Sequence, residues 1–125
     1  MREQKFFRCN HCGNVITKLV DSSVPVVCCG ERMEELKANT TEASVEKHLP
    51  VVEQMGNGVF TVKVGGVPHP MTADHHIAFI YVQTAGGGLV AYLADKPEAT
   101  FCRCAEEPTA VYEYCNLHGL WKTEF

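Results

Sequence analysis

The sequence predicts a mainly β protein in two parts: a short metal-binding segment over residues 1–37, then an all-β segment over residues 38–125. Three observations carry this reading. Cys9, Cys12, Cys28 and Cys29 crowd the first part. Short runs rich in β-branched and aromatic residues, separated by glycine turns, fill the second. No long stretch repeats its apolar residues with a helical period.

The first part is too small to bury a self-sufficient core, because domains below roughly 40 residues usually need a metal, disulfides or association. A break falls near Leu36–Thr41, where the cysteine frame ends. Cys9-Asn10-His11-Cys12-Gly13 is a knuckle: two thiolates at this spacing can hold one metal, and Gly13 gives the turn its conformational freedom. Cys28 and Cys29 complete a set of four sulfurs, which suits tetrahedral zinc or iron. His11 lies inside the knuckle and is expected to be an exposed loop residue rather than a ligand.

In the second part, Val51–Met55 and Val59–Val64 flank Gly56-Asn57-Gly58, a hairpin signal because Asn and Gly tolerate positive φ. Ile77–Thr84 and Leu89–Leu93 flank Gly86-Gly87-Gly88, and Ala110–Tyr114 is a further strand. Strands at this spacing predict a sandwich or barrel. Gly86–Gly88 is turn chemistry; no lysine or following helix supports a phosphate loop. Asn39-Thr40-Thr41 matches a glycosylation sequon by chance.

The 125 residues carry 11 basic and 15 acidic side chains, a net charge of -4. This balance excludes general nucleic-acid binding, which needs a concentrated basic surface. Met1–Arg8 has no long apolar run, so no signal peptide is expected. The longest apolar strand, Ile77–Val82, is far too short to cross a bilayer. The chain is therefore expected to be soluble and cytoplasmic. An odd count of 7 cysteines favours metal or redox chemistry over a disulfide framework.

His48, His69, His75, His76 and His118 lie in the second part beside Cys115, mostly next to Pro or Gly at strand edges. Loops there can converge on one end of a sandwich. Cys115 and His118 are close enough for one short loop to bring both to one metal. Four histidines plus a cysteine exceed the demand of tetrahedral structural zinc. Five ligands leave an octahedral metal one open position, as for a redox iron that binds a small ligand.

The adjacent Cys28-Cys29 pair after Cys-x-x-Cys resembles desulforedoxin. Glu46-Lys47-His48-Leu49-Pro50, His69-Pro70-Met71 with His75, and Glu113-Tyr114-Cys115-Asn116-Leu117-His118-Gly119-Leu120-Trp121 are similar to the signature segments of desulfoferrodoxin and neelaredoxin. The resemblance spans nearly the whole chain and implies a superoxide reductase. It implies an immunoglobulin-like seven-stranded β-sandwich behind a desulforedoxin-like domain. It implies two irons: one bound by Cys9, Cys12, Cys28 and Cys29, the other by equatorial His48, His69, His75 and His118 with axial Cys115. Lys47 is then the candidate for attracting superoxide, and Glu46 a candidate ligand of the oxidised iron. The four-cysteine iron would relay electrons from a rubredoxin-like donor, and a homodimer is implied. Reading the residues alone, a zinc ribbon and a zinc-stabilised binding module remain open for these centres, as does an electron carrier.

Two features depart from the family pattern. His76 follows the third histidine where an aromatic residue is common. The His-Pro-Met-x-x-x-His spacing selects His75, and His76 is expected to turn to another face. Cys102-Arg103-Cys104 has no family counterpart, and both cysteines are expected as small apolar fillers.

Overall fold

The structure is a computed structural model that describes residues 3–41, 43, 45–102 and 107–125; the Glu46 side chain lies outside the described set. The chain divides into two compact units, Met1–Lys37 and Ala38–Phe125.

In the first unit, β1 (Phe6–Arg8) is sandwiched edge to edge between β2 (Val15–Thr17) and β5 (Glu34–Leu36). Both pairings are antiparallel, with Phe6 opposite Thr17 on one side and Leu36 on the other. A two-stranded ribbon, β3 (Val27–Cys28) and β4 (Glu31–Arg32), completes it. Its buried apolar residues are Phe6, Cys9, Met33 and Leu36. So small a core cannot hold the four cysteines in place by packing alone.

The second unit opens with one helical turn, α1 (Val45–His48). Seven strands follow: β6 (Pro50–Gly56), β7 (Val59–Val64), β8 (Ile77–Thr84), β9 (Gly88–Tyr92), β10 (Glu98–Cys102), β11 (Pro108–Cys115) and β12 (Gly119–Glu124). They form a three-stranded sheet ordered β10-β7-β6 and a four-stranded sheet ordered β12-β11-β8-β9. Every pairing is antiparallel. The chain passes from one sheet to the other after β7, β9 and β10, which gives the expected immunoglobulin-like sandwich.

The core lies between the sheets. Phe60, Val62 and Val64 of β7 meet Ile77, Ile80 and Val82 of β8, with Phe101, Val111 and Cys115 in the same cluster. Alternate residues supply it along β7 and over Ile80–Val82 of β8, as a two-layer β fold requires, and a register shift brings Ile77 into the same cluster. Both expected hairpins are present. Asn57 sits at φ 53° and Gly58 at φ 73°, the conformation that the Asn-Gly pair supplies cheaply.

In this second unit, β10 and β12 were not read from the sequence. β10 has little alternation to mark it, and β12 was taken as the tail of the Cys115–Trp121 segment. One expectation is corrected. Cys102 ends β10 in an exposed position and fills no core space; Cys104 lies outside the described residues. Among the described residues, no helix is long and apolar enough to cross a membrane.

Candidate metal centres

The four sulfurs of the first unit are brought together by two turns. Gly13 N–H bonds the Cys9 carbonyl at 3.0 Å, and the Cys12 N–H points at Cys9 Sγ at 3.4 Å. The fold over Cys28-Cys29 is subtler, since neighbours in an extended strand point to opposite faces. Here Cys29 and Gly30 form the tip of the β3–β4 hairpin, at φ 54° and 78°. This left-handed pair turns the Cys29 sulfur back to within 4.0 Å of Cys28 Sγ. Cys12 Sγ lies 3.6 Å from Cys28 Sγ.

These spacings match a metal site. Ligand atoms about 2.3 Å from a tetrahedral metal stand about 3.8 Å apart. All four sulfurs lie within 4.8 Å of one another. Crowding sets their acidities apart. Cys9 is pushed down to about 6, chiefly by the Cys12 N–H, and Cys29 is pushed up to about 12 by the other sulfurs crowded against it. A bound metal removes this conflict, because a coordinating thiol is deprotonated outright. Cys9 is buried, whereas Cys12 and Cys29 are exposed. His11 is exposed, as expected, and pairs with Glu31 at 3.1 Å.

The second centre lies at one end of the sandwich. Three segments converge there: α1 running into β6, the loop from β7 to β8, and the β11–β12 hairpin. They carry His48, then His69 and His75, then Cys115 and His118. One nitrogen or sulfur of each lies within 4.8 Å of all the others.

The four imidazoles stand as a square. Neighbouring centroids are 4.7 Å (His48–His69), 4.6 Å (His69–His75), 4.9 Å (His75–His118) and 4.9 Å (His118–His48) apart. Adjacent rings are nearly perpendicular, at 76° to 89°, while His48 and His75 face each other across the diagonal at 6.5 Å. His48 Nε2 is 3.1 Å from His69 Nε2 and 3.1 Å from His118 Nδ1. Cis nitrogens about 2.1 Å from one metal stand about 3.0 Å apart, so the square has the dimensions of an equatorial ligand plane. Cys115 Sγ is buried and 3.8 Å from His118 Nδ1. Buried His75 Nε2 has no hydrogen-bond partner among the described residues, an orphan that a metal ion explains.

Local structure sets each donor. The Pro70 carbonyl can only accept, so its 2.7 Å contact with His69 Nδ1 fixes the proton there and leaves Nε2 its lone pair. Burial, with the neighbouring imidazoles, pushes His69 down to about 4. His75 is likewise pushed down, by burial first and then by the charges of His118, His76 and Lys47. Both rings are thus neutral near pH 7, the state a metal needs. Burial pushes Cys115 up, so a thiolate there calls for a cation beside it.

Cys115 and Cys9 use the same local device. The His118 N–H points at Cys115 Sγ at 3.4 Å, as the Cys12 N–H does at Cys9. Gly119 follows at φ 79°, as Gly13 does at φ 83°. A side chain at Gly119 would also approach Thr41 Oγ1 to 3.1 Å.

His76 stays outside the ligand set. It sits just before β8, and its Nδ1 contacts the Thr72 carbonyl at 2.9 Å. Lys47 is exposed on α1, beside the ligand His48.

Comparison with known proteins decides the family. The desulfoferrodoxin family model matches residues 40–124, and the model of the desulfoferrodoxin N-terminal domain matches residues 1–36. The chain belongs to the desulfoferrodoxin family. It is 42% identical over 124 residues to the desulfoferrodoxin of Nitratidesulfovibrio vulgaris, covering 98% of this chain and 97% of that one. It is similar to the crystal structure of the superoxide reductase from Treponema pallidum, with a TM-score of 0.82 and 35% identity over 98% of this chain and 100% of that one. A protein named superoxide reductase from Pyrococcus abyssi is 37% identical over 98 residues, 63% of this chain and 85% of that one.

Sequence reasoning gave no role to the residues that hold the ligands. Trp121 backs His48, and Asn116 and Thr72 brace His75. Their signal was available in part, since Asn116 and Trp121 lie inside the Cys115–Trp121 segment.

Proposed function

We propose that this member of the desulfoferrodoxin family is a superoxide reductase, which adds one electron and two protons to superoxide to give hydrogen peroxide. The observation that carries this reading is the square of four imidazoles with the buried Cys115 sulfur beside it. Five protein donors leave an octahedral metal one position for a small ligand, and this mixed set suits iron. When bound, that iron supplies the electron and the open position.

The chain's residues do the rest. His48, His69, His75 and His118 would hold the iron through their imidazoles, and Cys115 would give it a thiolate that raises electron density at the metal. Lys47 attracts the anion, a role supported by its exposed place on α1 next to His48. Glu46, on the same helical turn, is the candidate ligand for the oxidised metal. Cys9, Cys12, Cys28 and Cys29 hold a second iron, and the exposure of Cys12 and Cys29 offers a donor of rubredoxin type a short path to it. On this reading residues 1–37 form the relay domain and residues 38–125 the catalytic domain, and the protein works in the cytoplasm as a homodimer.

Metal analysis and visible spectra of the wild type, Cys9→Ser and Cys115→Ser test this. The wild type should hold two irons per chain. Cys9→Ser should lose the four-cysteine spectrum, yet its pre-reduced form should still consume superoxide. Cys115→Ser should not. Direct reaction lost in Cys9→Ser and kept in Cys115→Ser would overturn the assignment.

A further inference from the structure

His75 lies outside regular structure. It precedes β8 on the β7–β8 loop and is only partly buried, whereas His48 and His69 are buried. Something other than core packing must hold it at the fourth corner of the square.

Asn116 is placed to do so. It lies in the β11–β12 hairpin, next to Cys115. Its Oδ1 accepts the His76 N–H at 2.8 Å, and its Nδ2 donates to the Asp74 carbonyl at 3.0 Å. Its own N–H donates to the His76 carbonyl at 3.1 Å. One residue thus grips the backbone on both sides of His75 and ties it to the hairpin that carries Cys115 and His118. An asparagine suits this, because one short side chain offers both an acceptor and a donor. The far side of the same turn is closed by Thr72, whose Oγ1 accepts the His75 N–H at 3.1 Å. That bond curls the turn but does not reach the hairpin.

We propose that Asn116 is a positioning residue for the metal centre, which sets His75 relative to Cys115 and His118 by bridging the two loops that carry them. The proposal rests on the reading of this cluster as an iron site. Groups that orient a metal ligand without touching the metal typically change metal affinity 10–100-fold when removed.

The test compares full-length wild type, Asn116→Ala and Asn116→Asp, each loaded with iron. Two readouts are taken: the thiolate-to-iron charge-transfer band of the oxidised centre, and the rate at which a ferrous chelator strips that iron. The four-cysteine spectrum of the same sample is the internal reference. Asn116→Ala should shift the band and speed iron loss about tenfold or more, with the four-cysteine spectrum unchanged. Asn116→Asp keeps an acceptor for the His76 N–H but sets a carboxylate oxygen against the Asp74 carbonyl, so it too should depart from wild type. If the alanine variant does not fold, the aspartate variant is read alone against the same expectation. A wild-type band and a wild-type chelation rate in the variants would overturn the positioning role. A wild-type protein with no charge-transfer band at all would instead overturn the iron reading beneath it.

Discussion

The indole of Trp121 lies face to face with the imidazole of His48, with centroids 4.9 Å apart and planes 23° from parallel. Its Nε1–H donates to the His118 carbonyl at 3.1 Å. One fully buried side chain therefore backs one ligand and holds the chain at another. It sits in β12 opposite Glu113, so its position is set by the sheet rather than by a loop.

Trp121→Phe should retain part of the stacking and lose the hydrogen bond to His118. A cost of about 1–2 kcal/mol in stability is expected from the lost bond and the reduced contact. Trp121→Ala should cost about 3–5 kcal/mol, the usual range for an emptied aromatic core site. Denaturant unfolding of the metal-loaded proteins checks this. Equal stability of the two variants would show that the ring does not support His48.

How far these sites could be read from the sequence depends on what each residue type encodes. Cysteines and histidines announce themselves, so all nine side chains now gathered in two clusters were named beforehand. The hairpin around Asn57 was legible because asparagine and glycine mark left-handed turns, and the one around Gly87 because a run of glycines interrupts a strand pattern. The support was less so. Asn116, Thr72 and Asn14 are ordinary polar residues whose importance lies in which backbone groups they meet, and pairing register decides that. β12 was missed because its first residues were already claimed by a motif. Cys102 misled because a small sulfur residue in a strand reads as packing, while its exposure depends on where β10 ends.

Lys47 bears on the rate of encounter. Four neutral imidazoles and one thiolate leave ferrous iron a single formal positive charge, a weak attractor in a protein of net charge -4. An exposed ammonium next to His48 raises the local potential. Lys47→Ala should slow the second-order reaction with superoxide about tenfold and flatten its dependence on ionic strength. Pulse radiolysis at several salt concentrations measures both. An unchanged rate and salt slope would remove Lys47 from the mechanism and leave the ligand set untouched.

Asn14 bears on the other centre. Its Nδ2 lies 3.7 Å from Cys28 Sγ, in hydrogen-bonding range for sulfur. A donor to a thiolate favours the more negative, reduced state of the metal it binds. Asn14→Leu should lower the midpoint potential of the four-cysteine iron. The bond is exposed and water replaces part of it, so a threefold change in the reduction equilibrium is expected, about 30 mV for one electron. Potentiometric titration of the visible spectrum measures it. A potential that rises or stays fixed would mean that the amide does not act on Cys28.

Glu113 is a costly residue for the sandwich. It lies in the middle of β11, fully buried, and shares a face with Val111 and Cys115 of the core cluster. Its strand partners are Ile80 and Trp121. Among the described residues, neither carboxylate oxygen has a hydrogen-bond partner. Burial alone pushes this carboxyl up to about 9, so it is held as a neutral acid in the folded chain near pH 7. A neutral acid still loses its bonds to water on burial, and an unpaired buried polar group costs about 1–3 kcal/mol. Methionine has a similar length and volume and leaves nothing unsatisfied. Glu113→Met should therefore stabilise the fold by about 1–3 kcal/mol and raise the unfolding temperature by several degrees. The gain should appear in thermal unfolding of metal-loaded protein near pH 7, with both iron spectra retained. A less stable Glu113→Met variant would show that the carboxyl has a partner in solution, such as an ordered water, and that this partner repays the burial.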